Sequence, residues 1–105
     1  MRISKSKFSV GQLITHKLFN YRGVIVDVDP VYLGSEDWYQ NIALTRPPRD
    51  APWYRVLVHN ALHETYVAER NLEPDDSLQP IIHPQINDYF CDFVDGLYIR
   101  KQQDN

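Results

Sequence analysis

Asp27 and Asp29 stand two residues apart in a β-branched run, so in an extended strand their carboxyls share one side, the spacing a paired acid/base site uses. No neighbouring residue supplies a nucleophile or a water-excluding pocket, so the pair reads first as the solvated face of a half-buried strand. His59 and His63 bracket a predicted hairpin turn and would face one another across it, which is the beginning of a zinc site that lacks a third ligand of suitable spacing. His16 and His83 are distant in sequence. Cys91 falls inside an apolar pattern between Phe90 and Phe93, where a free cysteine serves as a small hydrophobe. The chain carries no glycine-rich phosphate loop, no CxxC pair and no GxSxG elbow. A hydrolase reading would therefore rest on zinc at His59 and His63 alone. We expect no enzyme activity, no metal and no cofactor.

What remains is a surface rich in rings and guanidinium groups. Tyr32, Trp38, Tyr39, Trp53 and Tyr54 occupy or flank a long irregular stretch, with Arg46 and Arg49 between them. Aromatics with arginine are favoured at protein-partner hot spots and as stacking platforms for bases. The bland reading is that Trp53 or Tyr54 alternates into a core and that Trp38 and Tyr39 only pack their own loop.

Strands must hold these residues in place. Phe8 to His16 reads as a strand entered through a bend at Gly11, and Asn20-Tyr21-Arg22-Gly23 supplies a turn. Gly23 to Asp29 follows as the clearest strand, with Val24, Val26 and Val28 on one face and Ile25, Asp27 and Asp29 on the other; Pro30 ends it. Residues 31–52, with Gly34, Pro47, Pro48 and Pro52, read as a long loop. Trp53 to His59 and His63 to Ala68 form an antiparallel hairpin around Asn60-Ala61-Leu62, and Ala68 to Asn71 makes one tight turn before Leu72 enters the core. Glu73 to Asp76 is predicted to leave the sheet as an acidic linker. Pro84 and the i, i+3, i+4, i+7 spacing of Ile86, Tyr89, Phe90 and Phe93 predict a short helix over Gln85 to Val94 with Gly96 just past its end. Leu97 to Arg100 would add an edge strand or a docking tail. The expected fold is mainly β, a small SH3-like barrel of antiparallel strands with a long central loop and a short C-terminal helix. Residues 1–73 would form the barrel, and residues 74–105 the acidic linker, helix and tail packed on the same domain.

Composition sets bounds on function. The chain has 105 residues, 11 Lys+Arg against 14 Asp+Glu, and 43% hydrophobic residues, which suits one globular domain. Its longest apolar runs are trios such as Val24-Ile25-Val26, far short of the roughly 18 residues of a membrane span. The basic N-terminal stretch is followed by no apolar region of a secretory signal, and the single cysteine suits a reducing compartment, so a cytoplasmic location is expected. The net charge of −3 hides a gradient. Arg2, Lys5, Lys7, Lys17 and Arg22 against Asp27 and Asp29 give residues 1–29 a charge of +3; residues 30–72 carry −1, and residues 73–105 carry −5. An acidic chain is a poor general binder of nucleic acid, so DNA contact would fall to Lys5, Lys7, Lys17 and Arg22.

Four segments in order carry a resemblance: Val10-Gly11-Gln12 with His16, Tyr21 through Tyr32, Ala51 through Val58, and Thr65 through Leu72. Together they resemble the heat-shock protein HspQ family, also called the YccV-like or hemimethylated-DNA-binding domain, over about residues 7–73. The segment from His83-Pro84 through Tyr89-Phe90 resembles the C-terminal extension of some members, including domains attached to eukaryotic F-box proteins. The resemblance implies a small β-barrel that self-associates, often as a trimer, without catalytic activity. It also implies two functions: a stress-response role as specificity factor and substrate of the Lon protease, and binding of hemimethylated DNA in replication initiation. It brings no agreed set of binding residues. Protein contact through an aromatic loop needs no cationic excess, so a protein-binding adaptor in degradation, using Tyr32, Trp38, Tyr39, Arg46, Arg49 and Trp53, is the expected function; hemimethylated DNA is the alternative.

Overall fold

The run Gly23-Val24-Ile25-Val26 can lack polar residues because both of its faces are covered. It opens strand β2 (Arg22–Asp29), which lies at the centre of a five-stranded antiparallel sheet with β1 (Leu13–His16), β3 (Trp53–Val58), β4 (Glu64–Ala68) and β5 (Leu72–Pro74) in the order β4-β3-β2-β1-β5. The computed structural model describes residues 5–43 and 45–102; Arg2 of the basic first third lies outside them. The fold is mainly β. Among the described residues β4 and β5 remain the edges of the sheet and do not pair with each other, so no closing pair makes the expected SH3-like barrel.

One face of the sheet packs Phe8, Ile14, Ile25, Tyr54, Val56, Val67 and Leu72. Tyr54 is the polar member. Burial, and then the Glu69 carboxylate that accepts its hydroxyl proton at 2.7 Å, push that hydroxyl up to about 12. The opposite face carries Leu13, Val24, Val26 and Leu57, covered by Ile81, Phe90 and Tyr98 from the C-terminal segment.

Strict alternation along β2 does not hold. The β2–β3 register shifts between Ile25 and Asp27, a bulge at Val26, so Val24 and Val26 face one cluster while Ile25 and Val28 face the other. Asp27 and Asp29 still share a side, as two-residue spacing beyond the bulge requires.

Three further expectations change. The first strand begins at Leu13, and Phe8 reaches the core from an irregular lead-in, its N–H donating to the Tyr54 hydroxyl at 3.2 Å. Glu73-Pro74 stays in the sheet as β5 against Ile14 and Thr15, because Leu72 must follow the edge to stay buried. The C-terminal helix shrinks to α2 (Ile86–Tyr89), and Phe90–Val94 forms β6, paired with β7 (Leu97–Arg100). Asp95 and Gly96 both have positive φ, 51° and 81°, so Gly96 closes a two-residue hairpin instead of capping a helix. The apolar reading survives that change: Ile86, Tyr89, Phe90 and Phe93 all pack on the same cluster.

Gly11 joins the two layers. Its φ is 93°, its N–H donates to the Ile25 carbonyl at 2.8 Å, and its own carbonyl accepts from Tyr98 N–H at 3.0 Å. A Cβ there would collide with the Tyr98 carbonyl. The bend read from the sequence is thus also the place where the hairpin backbone touches the sheet.

Candidate partner-binding groove

The long segment between β2 and β3 is ordered around one helical turn and a half. Ser35 caps helix α1 (Glu36–Asn41), its hydroxyl accepting from Trp38 N–H at 3.0 Å. Arg49 ties back to the first turn of α1 by an ion pair with Glu36 at 2.6 Å, which holds the Glu36 carboxyl down at about 2, and lays its guanidinium 3.9 Å from the centre of the Tyr39 ring.

This arrangement collects rings from three elements. Tyr32 lies 4.9 Å from Trp53, 5.4 Å from Tyr39 and 5.8 Å from Tyr66, and Trp38 lies 5.9 Å from Tyr66, centre to centre. Trp53 and Tyr66 stack across the β3–β4 pair at 5.2 Å. Trp53 and Tyr39 are the buried floor, their polar atoms donating to the Pro48 and Pro47 carbonyls at 3.0 and 2.6 Å. Both Trp53 and Tyr54 are therefore core residues, on opposite faces. Trp38, Tyr32 and Tyr66 are the rings that remain half exposed. Tyr66 went unnoticed in the sequence; as the cross-strand neighbour of Arg55, one place from Trp53, it sits where an exposed aromatic completes the cluster.

Beside the cluster runs a mostly apolar groove of about 310 Å³. It follows the unpaired edge of β4, and Thr65, Tyr66, Val67 and Ala68 line it from both sides of that strand. One wall is Trp38, Ile42 and Ala43; the other is Leu18, Phe19 and Tyr21 from the β1–β2 turn. Leu18, Phe19 and Ile42 are 55%, 65% and 56% exposed, so the walls are wet apolar surface rather than core. Glu69 N–H donates to the Pro52 carbonyl at 3.0 Å, and the ladder alternates from there, which turns the N–H and C=O of Tyr66 away from β3.

His16 sets the Phe19 wall. Its Nδ1 accepts from the N–H groups of Leu18 and Phe19 at 3.1 and 3.2 Å, its ring stacks on Phe19 at 4.7 Å, and burial lowers its pKa. Tyr21 beside it is pushed up to about 12 by burial, partly offset by a hydrogen bond with Thr65.

A second hollow of about 440 Å³ shares Trp38, Ile42, Thr65 and Tyr66 with the groove and opens on their other side. Asp29, Glu64 and Arg55 line it. Asp29 accepts from the Tyr66 hydroxyl at 2.6 Å, and that hydroxyl in turn accepts from Leu33 N–H at 3.2 Å. Burial, then the Asp29 carboxylate, raises the Tyr66 pKa. Asp27 thus faces Arg55 at 3.6 Å while Asp29 faces a phenol, and the two carboxyls serve different neighbours.

The cations expected to meet DNA fall in different surroundings. Arg22 is held by Asp75 at 2.6 Å and by the Gln79 carbonyl. Lys5, Lys7 and Lys17 are exposed. The backbones of Lys7 and Lys17 both dock on the 3-10 turn Glu69–Asn71, through Lys7 N–H to Glu69 at 2.9 Å and Lys17 N–H to the Asn71 carbonyl at 2.8 Å. That turn carries Arg70, which donates to the Thr45 carbonyl at the end of the groove. Arg46 leans on Gln40 at 2.5 Å, away from the stacked rings. His59 Nδ1 accepts from Ile82 N–H at 2.8 Å, and the His63 carbonyl contacts His83 Nε2 at 2.9 Å, so the imidazole of His59 and the backbone of His63 both serve the C-terminal segment. Among the described residues no group of three or more His, Cys, Asp or Glu side chains is arranged to hold a metal ion, and no helix is long and apolar enough to cross a membrane.

Comparison with known families gives a match to the model described as hemimethylated DNA-binding protein YccV like, over residues 6–97. The match extends past the predicted boundary at residue 73 and includes the segment that covers the second face of the sheet. With nearly the whole chain matched, from before the Gly11 bend to the start of β7, this protein belongs to the YccV-like family, a family of binding domains.

Proposed function

We propose that this protein is a non-enzymatic binding module that captures an apolar segment of another polypeptide in the β4-edge groove, acting in stress-linked protein degradation as HspQ-like proteins do with the Lon protease. One observation carries the reading: apolar side chains from two separate elements, Leu18 and Phe19 on one side and Ile42 and Trp38 on the other, stand exposed along an unpaired strand edge. An open edge with flanking apolar pockets is the arrangement that receives an added strand. In this reading Trp38 and Trp53, which line the groove, would touch the segment, Tyr32, Tyr39 and Arg49 would support those rings from behind, and Arg46 would stand at the margin. We further propose a cytoplasmic protein that works as a homo-oligomer, with residues 74–102 belonging to the same folded unit as the sheet.

A reconstituted degradation assay tests this. With a purified Lon-type protease and a client, the wild-type chain speeds client loss, whereas Phe19→Ala and Trp38→Ala each reduce that acceleration about tenfold while the circular-dichroism spectrum is unchanged. Full acceleration by both variants would remove the groove from the proposal.

The family description favours a second reading, hemimethylated DNA binding. Its best surface is the turn where Lys7, Lys17 and Arg70 converge, with Arg22 replaced by Arg70 because Asp75 already neutralises Arg22. A gel shift at about 150 mM salt decides it: methylation-dependent retention that Lys7, Lys17 and Arg70 to Ala changes abolish would put DNA ahead of protein.

A further inference from the structure

The groove does not end at the Trp38–Tyr66 wall. Those two rings, with Ile42 and Thr65, also form one side of the hollow that holds Asp29 and Glu64, so a chain lying in the groove can pass a side chain over the wall. Three carboxylates sit on that side, Asp27, Asp29 and Glu64, against one guanidinium, Arg55. Arg55 is already divided between Glu64 at 2.9 Å and Asp27 at 3.6 Å. Asp29 has no cation among the described residues; the Tyr66 hydroxyl that it accepts leaves lone pairs of the carboxylate unused. The wall itself offers ring faces, the surface on which an alkyl stem packs and a cation is attracted.

Resting on the groove as a peptide site, we infer that the segment it selects carries a lysine or arginine next to its apolar anchor: the anchor fills the space between Phe19 and Ile42, the stem crosses Trp38 and Tyr66, and the cationic head meets Asp29 and Glu64. Charge complementarity decides for this occupant. A phosphate at the same place would face a net negative rim, so the hollow selects against nucleic acid as well as against acidic peptides. The requirement is a specificity filter laid over an apolar contact that would otherwise accept many sequences.

The test uses the full chain and fluorescently labelled, end-capped peptides with a central Leu-Phe pair in a Gly/Ser background. The residue beside the pair is Lys, Gln or Glu, on either flank because the direction of the segment is open. Anisotropy titration at low and at about 150 mM salt is expected to rank Lys over Gln over Glu, with Lys about tenfold tighter than Glu and the gap narrowing with salt. Asp29→Asn keeps an oxygen for the Tyr66 hydroxyl and should shrink that gap to less than about threefold; Glu64→Gln should act in the same direction, and Asp76→Asn, an exposed charge elsewhere, should leave it intact. Phe19→Ala should weaken all three peptides together. Equal binding of the Lys and Glu peptides, with Phe19→Ala still weakening both, would overturn the charge requirement and leave the groove reading standing. No binding of any peptide would overturn both. Displacement of bound Lys peptide by a hemimethylated duplex from the wild type, undiminished in Lys7→Ala/Arg70→Ala, would overturn the inference by placing DNA in the groove.

Discussion

Two regions along one face of the sheet use their aromatic residues in opposite ways. Around Leu13, Val24 and Leu57, Phe90 and Tyr98 come down from the C-terminal hairpin and remove the sheet from water, and the Tyr98 hydroxyl is itself satisfied at Ile81 N–H at 3.1 Å. Along the β4 edge, Tyr32, Trp38 and Tyr66 are held as carefully, by the Ser35 cap, the Arg49–Glu36 clamp and the Leu33–Tyr66–Asp29 chain of hydrogen bonds, yet their outer surfaces stay open. A hydrophobic residue that finishes a core explains itself. One that is positioned by polar contacts and left wet has its energy in reserve for a partner.

This contrast can be broken experimentally, beginning at the closed region. Phe90→Ala should cost about 3–5 kcal/mol in urea unfolding, since a fully buried ring leaves a cavity; a loss under 1 kcal/mol would mean that the hairpin is not part of the cooperative core. Gly11→Ala should cost at least about 2 kcal/mol, because the residue sits at positive φ with the Tyr98 carbonyl in the way, and hydrogen exchange at the Tyr98 amide should accelerate with it. Next is Arg22→Ala, which leaves the nearly buried Asp75 carboxylate without its cation and with Ser77 alone as partner, and should cost about 1–2 kcal/mol at pH 7. Burial opposes ionisation of Asp75, but hydrogen bonds from Arg22 and Ser77 outweigh it and hold the carboxyl below its ordinary value. The unfolded chain then takes up this proton first, so the stabilisation is complete above about pH 4 and disappears as pH falls through the folded value, a trend that Arg22→Ala should flatten.

The open region should answer differently. Phe19→Ala should change unfolding free energy by no more than about 0.5 kcal/mol while weakening capture of an apolar peptide about tenfold; a variant that loses stability and binding together would show that the wall is core after all. The smallest effect is a pH dependence at His16. Its folded pKa lies below the usual 6.5, so protons bind the unfolded chain more readily and stability falls as pH drops through 6.5. Protonation of Nδ1 also removes the acceptor of the Leu18 and Phe19 amides, so peptide affinity should decline at the lower pH where the folded imidazole takes up its proton. His16→Gln should remove both trends.

Local chemistry made much of the sheet readable. The hairpin Trp53–Val58 to Glu64–Ala68, the turn at Asn60 and the entry of Leu72 into the core all follow from β-branched runs and turn residues, and appear where expected. The C-terminal segment was misjudged because Ile86, Tyr89, Phe90 and Phe93 fit a helical face, while the Asp95-Gly96 pair, a strong hairpin signal, went unweighed. Both patterns bury the same side chains, so periodicity alone could not separate them. Along β2 a single bulge moved Val28 from the Val24 face to the Ile25 face, which no composition rule anticipates.

By itself the sequence determined that this is a mainly antiparallel β protein of the YccV-like family, acidic toward its C-terminus, with an aromatic and arginine-bearing stretch before Trp53. Residue types and short spacings carry that information because strand formation, turns and charge are local. Only the tertiary structure decided that Tyr66 joins the rings, that Arg22 is used up by Asp75, and that Phe19 and Ile42 face each other across the edge of β4. Those pairs are separated by 23 to 53 positions, and what brings them together is the order of strands in the sheet and the edge it leaves unpaired.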